Sequence, residues 1–245
     1  MAEPTEDTLR VYARLDALPV PFEAGALLVD KPPGLTSFGV IRRLRRALGI
    51  KKMGHAGTLD PMATGLLVVL VGRAATRQQD RFMGLPKEYT GTIRLGETTA
   101  TYDAEGDVTA RRDPSRVTDA DLEAARQRFV GEILQRPPAY SAIKQGGERL
   151  YAKARRGDAV EVAPRPVTVY TFDLTGRRGG DVAFRIACSK GFYVRSLAHD
   201  FGEALGVGGH LEALRRTAIG PFRVEEAFAL DVLEGRGMRE EGRAE

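Results

Sequence analysis

KKMGHAGTLDPMATGLLVVLVG, residues 51–72, joins two lysines, a glycine-rich loop around an Asp-Pro pair and an unbroken apolar run. The run at 66–71 lies between Gly65 and Gly72 and leaves no polar residue on either alternating face. That is the pattern of a strand covered on both sides, hence central in a sheet. His55 and Asp60 sit in the loop that feeds it, among Gly54, Gly57 and Pro61. An Asp-Pro pair alone only opens a turn. A rigid loop at the end of a central strand, with basic residues before it, is where such folds place functional side chains.

Working outward on the N-terminal side, Val40, Ile41, Leu44 and Leu48 share one helical face. The spacing predicts a helix from Phe38 to Leu48, with Ser37 as its cap and Gly49 as its stop. Arg42, Arg43, Arg45, Arg46, Lys51 and Lys52 follow with no acid among them, which points to phosphate contact as much as to a solvated face. A short strand at 27–29 precedes Pro32, Pro33 and Gly34. Residues 1–25 read as an acidic extension.

On the C-terminal side, Tyr89, Gly91, Ile93 and Leu95 alternate with polar residues, as do Val182, Phe184, Ile186 and Cys188, and both read as strands. Thr118 and Asp121 form a capping pattern before Leu122, Ala125 and Phe129. A further amphipathic helix carries Val194, Leu197, Ala198, Phe201 and Leu205. No Gly-x-Gly-x-x-Gly and no Walker-type lysine motif is present, so a nucleotide cofactor domain is not supported.

With 245 residues, 42% of them hydrophobic and 29% charged, the chain has the composition of a globular domain rather than a disordered or fibrous one. It has one cysteine and three histidines, which excludes an internal disulfide and any Cys/His zinc spacing. No stretch reaches the roughly 18 apolar residues of a membrane span, and the expected location is the cytoplasm. The net charge of +4 understates the middle of the chain, because both ends are acidic. Residues 26–230 hold 32 bases against 23 acids, so a polyanion such as nucleic acid is a plausible partner. Thirty of the 37 bases are arginine, which codon composition explains equally well.

Six separated blocks carry a resemblance: LLVDKPPGLTS at 27–37, GHAGTLDPMATG at 54–65, KEYTGTIRLGETTATYDAEG at 87–106, RPPAYSAIKQGGERLYAKARRG at 136–157, GFYVRSLAHDFGEALG at 191–206 and LRRTAIGPF at 214–222. In this order they resemble the pseudouridine synthases, specifically the bacterial tRNA pseudouridine synthase B family, which acts on the T-loop uridine numbered 55. Met62 and Ala63 after the Asp-Pro look more like this stand-alone branch than the guide-RNA-dependent relatives. The implied fold is α+β, a mixed, mostly antiparallel sheet flanked by helices, with an RNA-binding cleft.

The resemblance also implies roles. Asp60 matches the catalytic aspartate, which attacks the ribose C1′ or removes the 2′ proton, a choice the sequence leaves open. Arg195 matches the arginine that pairs with it. Tyr89 matches the tyrosine that stacks on the base and is a candidate to take the C5 proton. Tyr193 and Leu214 match residues lining the uracil, and His55 the histidine that enters the T loop as the nucleotide flips out. Lys31 and Pro32 match a motif that buttresses the catalytic loop. Neither metal nor cofactor is implied, and the partner is the tRNA T-arm, with no protein partner inferred.

The block at about 130–164 resembles an insertion that closes over the T-stem-loop and is expected to be mobile without RNA, with Lys144, Arg149, Lys153, Arg155 and Arg156 as its basic face. Arg42, Arg46, Lys52 and Arg215 are further candidates for the RNA backbone, as is Arg216. The synthase domain is expected at 26–233. Residues 234–245 read as a polar tail, with no C-terminal RNA-binding module of the PUA type. A tRNA-binding or tRNA-folding module acting on the T-arm elbow is the competing reading.

Overall fold

The computed structural model describes residues 9–14, 17–19, 22–141, 144–145, 148–149, 156 and 162–241. They fall into two units, one formed by the chain up to Lys87 together with the chain from Arg215, the other by Glu88–Leu214. The elements begin with β1 (Val11–Tyr12), β2 (Gly25–Lys31), α1 (Ser37–Leu48), β3 (Met53–Ala56), β4 (Thr64–Val71), α2 (Gly72–Arg77) and α3 (Gln79–Met83). Then come β5 (Lys87–Leu95), β6 (Glu97–Thr99), β7 (Val108–Arg111), α4 (Asp119–Gln127), β8 (Gly131–Gln135), β9 (Lys144–Gln145) and β10 (Glu148–Arg149). The chain continues through β11 (Arg165–Arg178), β12 (Asp181–Cys188), α5 (Val194–Ala204), β13 (Gly209–Ile219), β14 (Phe222–Arg223), β15 (Phe228–Ala229) and α6 (Leu230–Glu241).

In the first unit β4 is the central strand the apolar run predicts. It pairs antiparallel with β2 along its length and with β3, and its first residues run parallel to Arg215 and Arg216 of β13. Because side chains alternate along a strand, β2 and β4 fill two cores at once. Leu27, Val29, Leu67, Val69 and Val71 pack with Val40, Ile41 and Leu44 of α1 on one side. Ala26, Leu28, Leu66, Val68 and Leu70 pack with Ala75, Phe82, Ile219 and Val224 on the other.

Helix α1 ends at Gly49 as expected, with φ 67° in the left-handed region. Its cap differs from the expectation. Thr36 is the N-cap and accepts from Gly39 N at 2.8 Å, while Ser37 lies inside the helix and is buried. Part of the stretch read as an extension belongs to the core: β1 runs parallel to β2, and Tyr12, Leu18 and Phe22 are buried. Residues 230–241, which include most of the stretch read as a polar tail, are helical, and Glu234 forms an ion pair with Arg43.

In the second unit β11 pairs antiparallel with both β12 and β8. The sheet order places β5 between β12 and β13. Phe172, Phe184 and Phe201 meet edge to face, which fixes α5 on the sheet. Helix α4 has the full capping box of Thr118 and Asp121. The block resembling an RNA clamp begins inside this sheet, since residues 131–135 are β8. Of the remainder, β9 and β10 form a short antiparallel hairpin. The side chains of Lys144 and Arg149, and all of Lys153 and Arg155, lie outside the described residues.

Candidate active site

The loop between β3 and β4 carries Asp60, and buried polar groups from three elements hold its backbone. Lys31 of β2 is fully buried, and its ammonium donates to the carbonyls of Pro32 (2.9 Å), Leu35 (2.6 Å) and Pro61 (3.1 Å). Ser37 of α1 accepts from Leu59 N at 2.8 Å and donates to Leu59 O at 3.1 Å, so one hydroxyl satisfies both backbone groups of the residue before Asp60. Arg216 of β13, also buried, donates to Leu66 O (2.7 Å) and Gly57 O (2.9 Å), on either side of the loop. Gly65 has φ 100°, and a Cβ there would lie 2.3 Å from Arg216 O, so only glycine lets the two strands approach this closely.

Lys31, for which the resemblance implies a buttressing role, bonds through Pro61 O to the loop that carries Asp60. The placement of Arg216 among phosphate-contacting residues is overturned. It is a buried support of the loop, because neighbours on a strand face opposite ways and Arg215 takes the outer side. Arg215 is partly exposed and meets Asp30 in a two-pronged pair at 3.0 and 2.7 Å.

His55 lies on β3. Its carbonyl accepts from Gln79 Nε2 at 2.8 Å, and its Nδ1 is buried without a hydrogen-bond partner. Burial, and secondarily the charge of Arg216, holds its pKa below the ordinary histidine value, so the ring is neutral at pH 7. Beside it opens a concavity of about 500 Å³ lined by Lys52, Arg73, Thr76, Arg77 and Gln79 among others. Sequence reading did not single out Arg73 and Arg77. Arg42, Arg46 and Lys52 are exposed, as expected, whereas Arg43 is paired with Glu234 and Arg45 donates to Met53 O at 2.9 Å.

The second unit holds Arg195, Tyr193, Tyr89 and Leu214. Arg195 is the second residue of α5 and is 6% exposed. Its Nη1 donates to Thr101 O at 3.1 Å and its Nη2 to Tyr140 O at 3.0 Å, and its Nε lies 3.6 Å from Asp103 Oδ2. Asp103 is itself buried and accepts from Thr101 Oγ1 and from Glu105 N. Sequence reading missed Asp103, because an acid inside DAEG looks like an ordinary turn residue. Gln135 clamps the backbone of Tyr193 from both sides, accepting from its N–H at 2.8 Å and donating to its carbonyl at 3.0 Å. Tyr89 is buried on β5, two residues before Gly91, where a Cβ would lie 2.5 Å from Ala213 O. Leu214 is partly buried on β13. Among the described residues no cluster of three His, Cys, Asp or Glu side chains could hold a metal, and no helix is long and apolar enough to cross a membrane.

Residues 45–194 match the model of the TruB family pseudouridylate synthase N-terminal domain, and residues 195–244 that of the tRNA pseudouridylate synthase B C-terminal domain. The two matches meet inside α5, so their boundary is not a structural one. The chain is 50% identical over 216 residues to a tRNA pseudouridine synthase B of Arthrobacter sp. strain FB24, covering 86% of this chain and 70% of the relative. It is 49% identical to that of Opitutus terrae, covering 88% and 89%, and 53% identical to that of Cutibacterium acnes, covering 86% and 74%. Among solved structures, the archaeal box H/ACA sRNP Nop10-Cbf5 complex aligns with a TM-score of 0.67 and 30% identity over 93% of this chain. An H/ACA RNP bound to a substrate RNA containing 2'-deoxyuridine aligns with a TM-score of 0.65 and 31% identity over 90% of it. This chain spans only 59% and 56% of those two chains.

Fold and sequence together define a pseudouridine synthase, built on a mixed, mostly antiparallel sheet flanked by helices. Within that class, the chain belongs to the TruB family.

Proposed function

We propose that this protein converts one uridine of the tRNA T loop, that numbered 55, into pseudouridine. The observation that carries the reading is about 50% identity to curated tRNA pseudouridine synthase B proteins across most of the chain, including the loop that holds Asp60. The reaction is an isomerisation. The N1–C1′ bond breaks, the uracil turns, C5 bonds to C1′, and the C5 proton leaves while N1 gains one.

In this reading Asp60 acts on the ribose, either as nucleophile at C1′ or as base at C2′. The buried supports of its loop keep it in place without rearrangement during the reaction, which is where positioning lowers a barrier. By resemblance to the family Arg195 is the arginine that serves the catalytic aspartate, and its bonds to Thr101 O and Tyr140 O fix the guanidinium for that task. Tyr89 stacks on the uracil, and Tyr193 and Leu214 line its pocket. A neutral His55 suits insertion into the space the flipped nucleotide leaves, since no charge has to be desolvated. Arg42, Arg46 and Lys52, with Arg73 and Arg77 along the adjacent concavity, contact phosphates, and the segment with Lys144 and Arg149 adds to them. The same reading places the chain in the cytoplasm with its tRNA.

The test is to incubate the protein with an unmodified T-arm stem-loop RNA and map pseudouridine by site. One product at the T-loop uridine is expected. Binding without conversion would favour the RNA-folding role instead, and conversion at many uridines a different substrate.

A further inference from the structure

Among the described residues, Tyr102 is the one non-glycine with a positive φ, 65°. That region suits glycine, asparagine or aspartate. A tyrosine backbone held there is strained, and such strain persists where the surroundings impose it. Both residues flanking Tyr102 help to hold Arg195, Thr101 through its carbonyl and Asp103 through its carboxylate, alongside Tyr140 O. On one side the turn is fixed to β13, where Leu211 N donates to Tyr102 O and Ala104 N to Leu211 O, both at 3.0 Å.

On the other side the Tyr102 ring lies flat against His199, with centroids 3.9 Å apart and planes 8° from parallel. His199 follows Arg195 by four residues in α5, so both lie on one helix face, a turn apart. Its Nδ1 is buried without a hydrogen-bond partner, and burial lowers its pKa. The ring is therefore neutral at pH 7, and what it offers here is a flat face rather than a proton.

We propose that the Tyr102–His199 stack is a positioning pair for Arg195, pinning the strained turn at 101–103 to the helix that carries the guanidinium. This rests on the reading of Arg195 as the residue that orients Asp60. Asparagine or glycine at 102 would form the turn with less strain but would leave nothing to tie it to α5.

The experiment compares wild type, Tyr102→Gly, Tyr102→Phe, His199→Ala, the Tyr102→Gly/His199→Ala double variant and Arg195→Ala by melting temperature, kcat and KM on tRNA. Tyr102→Gly relieves the backbone while deleting the ring. Its melting temperature and KM are expected to change little while kcat falls about tenfold, a loss typical of a slightly misplaced catalytic group. Tyr102→Phe restores kcat, His199→Ala matches Tyr102→Gly, and the double variant loses no more than either single one. Wild-type kcat in Tyr102→Gly, or a loss that follows a lowered melting temperature and persists in Tyr102→Phe, overturns the proposal. Arg195→Ala separates the two levels. If it retains turnover, the reading of Arg195 has failed and the pair with it. If it abolishes turnover while Tyr102→Gly does not lower it, the pair alone has failed.

Discussion

Arg195 shows how a single residue becomes useful through what surrounds it. A guanidinium presents five donors in a rigid fork, and its direction is defined only when several acceptors hold it. Two carbonyls and the Asp103 carboxylate do so here. Asp103→Asn keeps the shape but removes the charge that faces Nε. The expected result is a fall in kcat of at least about tenfold with KM little changed, read in single-turnover assays on tRNA. FYVRSL was legible as a motif, but its acidic neighbour was not, because Asp103 and Arg195 meet only in the folded chain. The arginines of LRRTAIG were misread for a simpler reason. Adjacent residues on a half-buried strand cannot both face solvent, and that alternation alone would have sent one of them inward.

At the scale of elements, the apolar run at 66–71 is unambiguous because a strand buried on both faces cannot carry a polar residue on either. Helix α1 was equally clear in its apolar stripe and its glycine stop. Its cap was not, since Thr36 and Ser37 are both good capping residues and the choice depends on what else each can reach. Ser37 reaches Leu59 instead, which ties α1 to the loop that carries Asp60. Ser37→Ala leaves a buried N–H and a buried carbonyl without that partner. It is expected to cost about 2 kcal/mol of stability, measured by denaturant unfolding, and to lower kcat, because the loop beside Asp60 loses its anchor. Unchanged stability would show that the hydroxyl does not carry the loop.

For the molecule as a whole, net charge hid a basic body between acidic ends, and the sequence could not say which bases stay available for RNA. Arg43 and Arg215 are matched by Glu234 and Asp30, residues 191 and 185 positions away, and no local pattern reveals such pairs. Arg46 and Lys52 remain exposed. If each meets one phosphate, replacing either with glutamine reduces the slope of log K against log salt by about 0.7–0.9, measured by T-arm RNA binding across a salt series. A weaker complex with an unchanged slope would place that side chain away from the backbone.

The central claim is that Asp60 drives the isomerisation of a single tRNA uridine. Because C5 must lose its hydrogen when it joins the ribose, tRNA carrying tritium at uridine C5 reports the reaction directly. Wild-type protein should release one tritium per tRNA, and Asp60→Asn should release none while still binding the RNA. Release by Asp60→Asn, or release from several uridines by the wild type, would contradict the account.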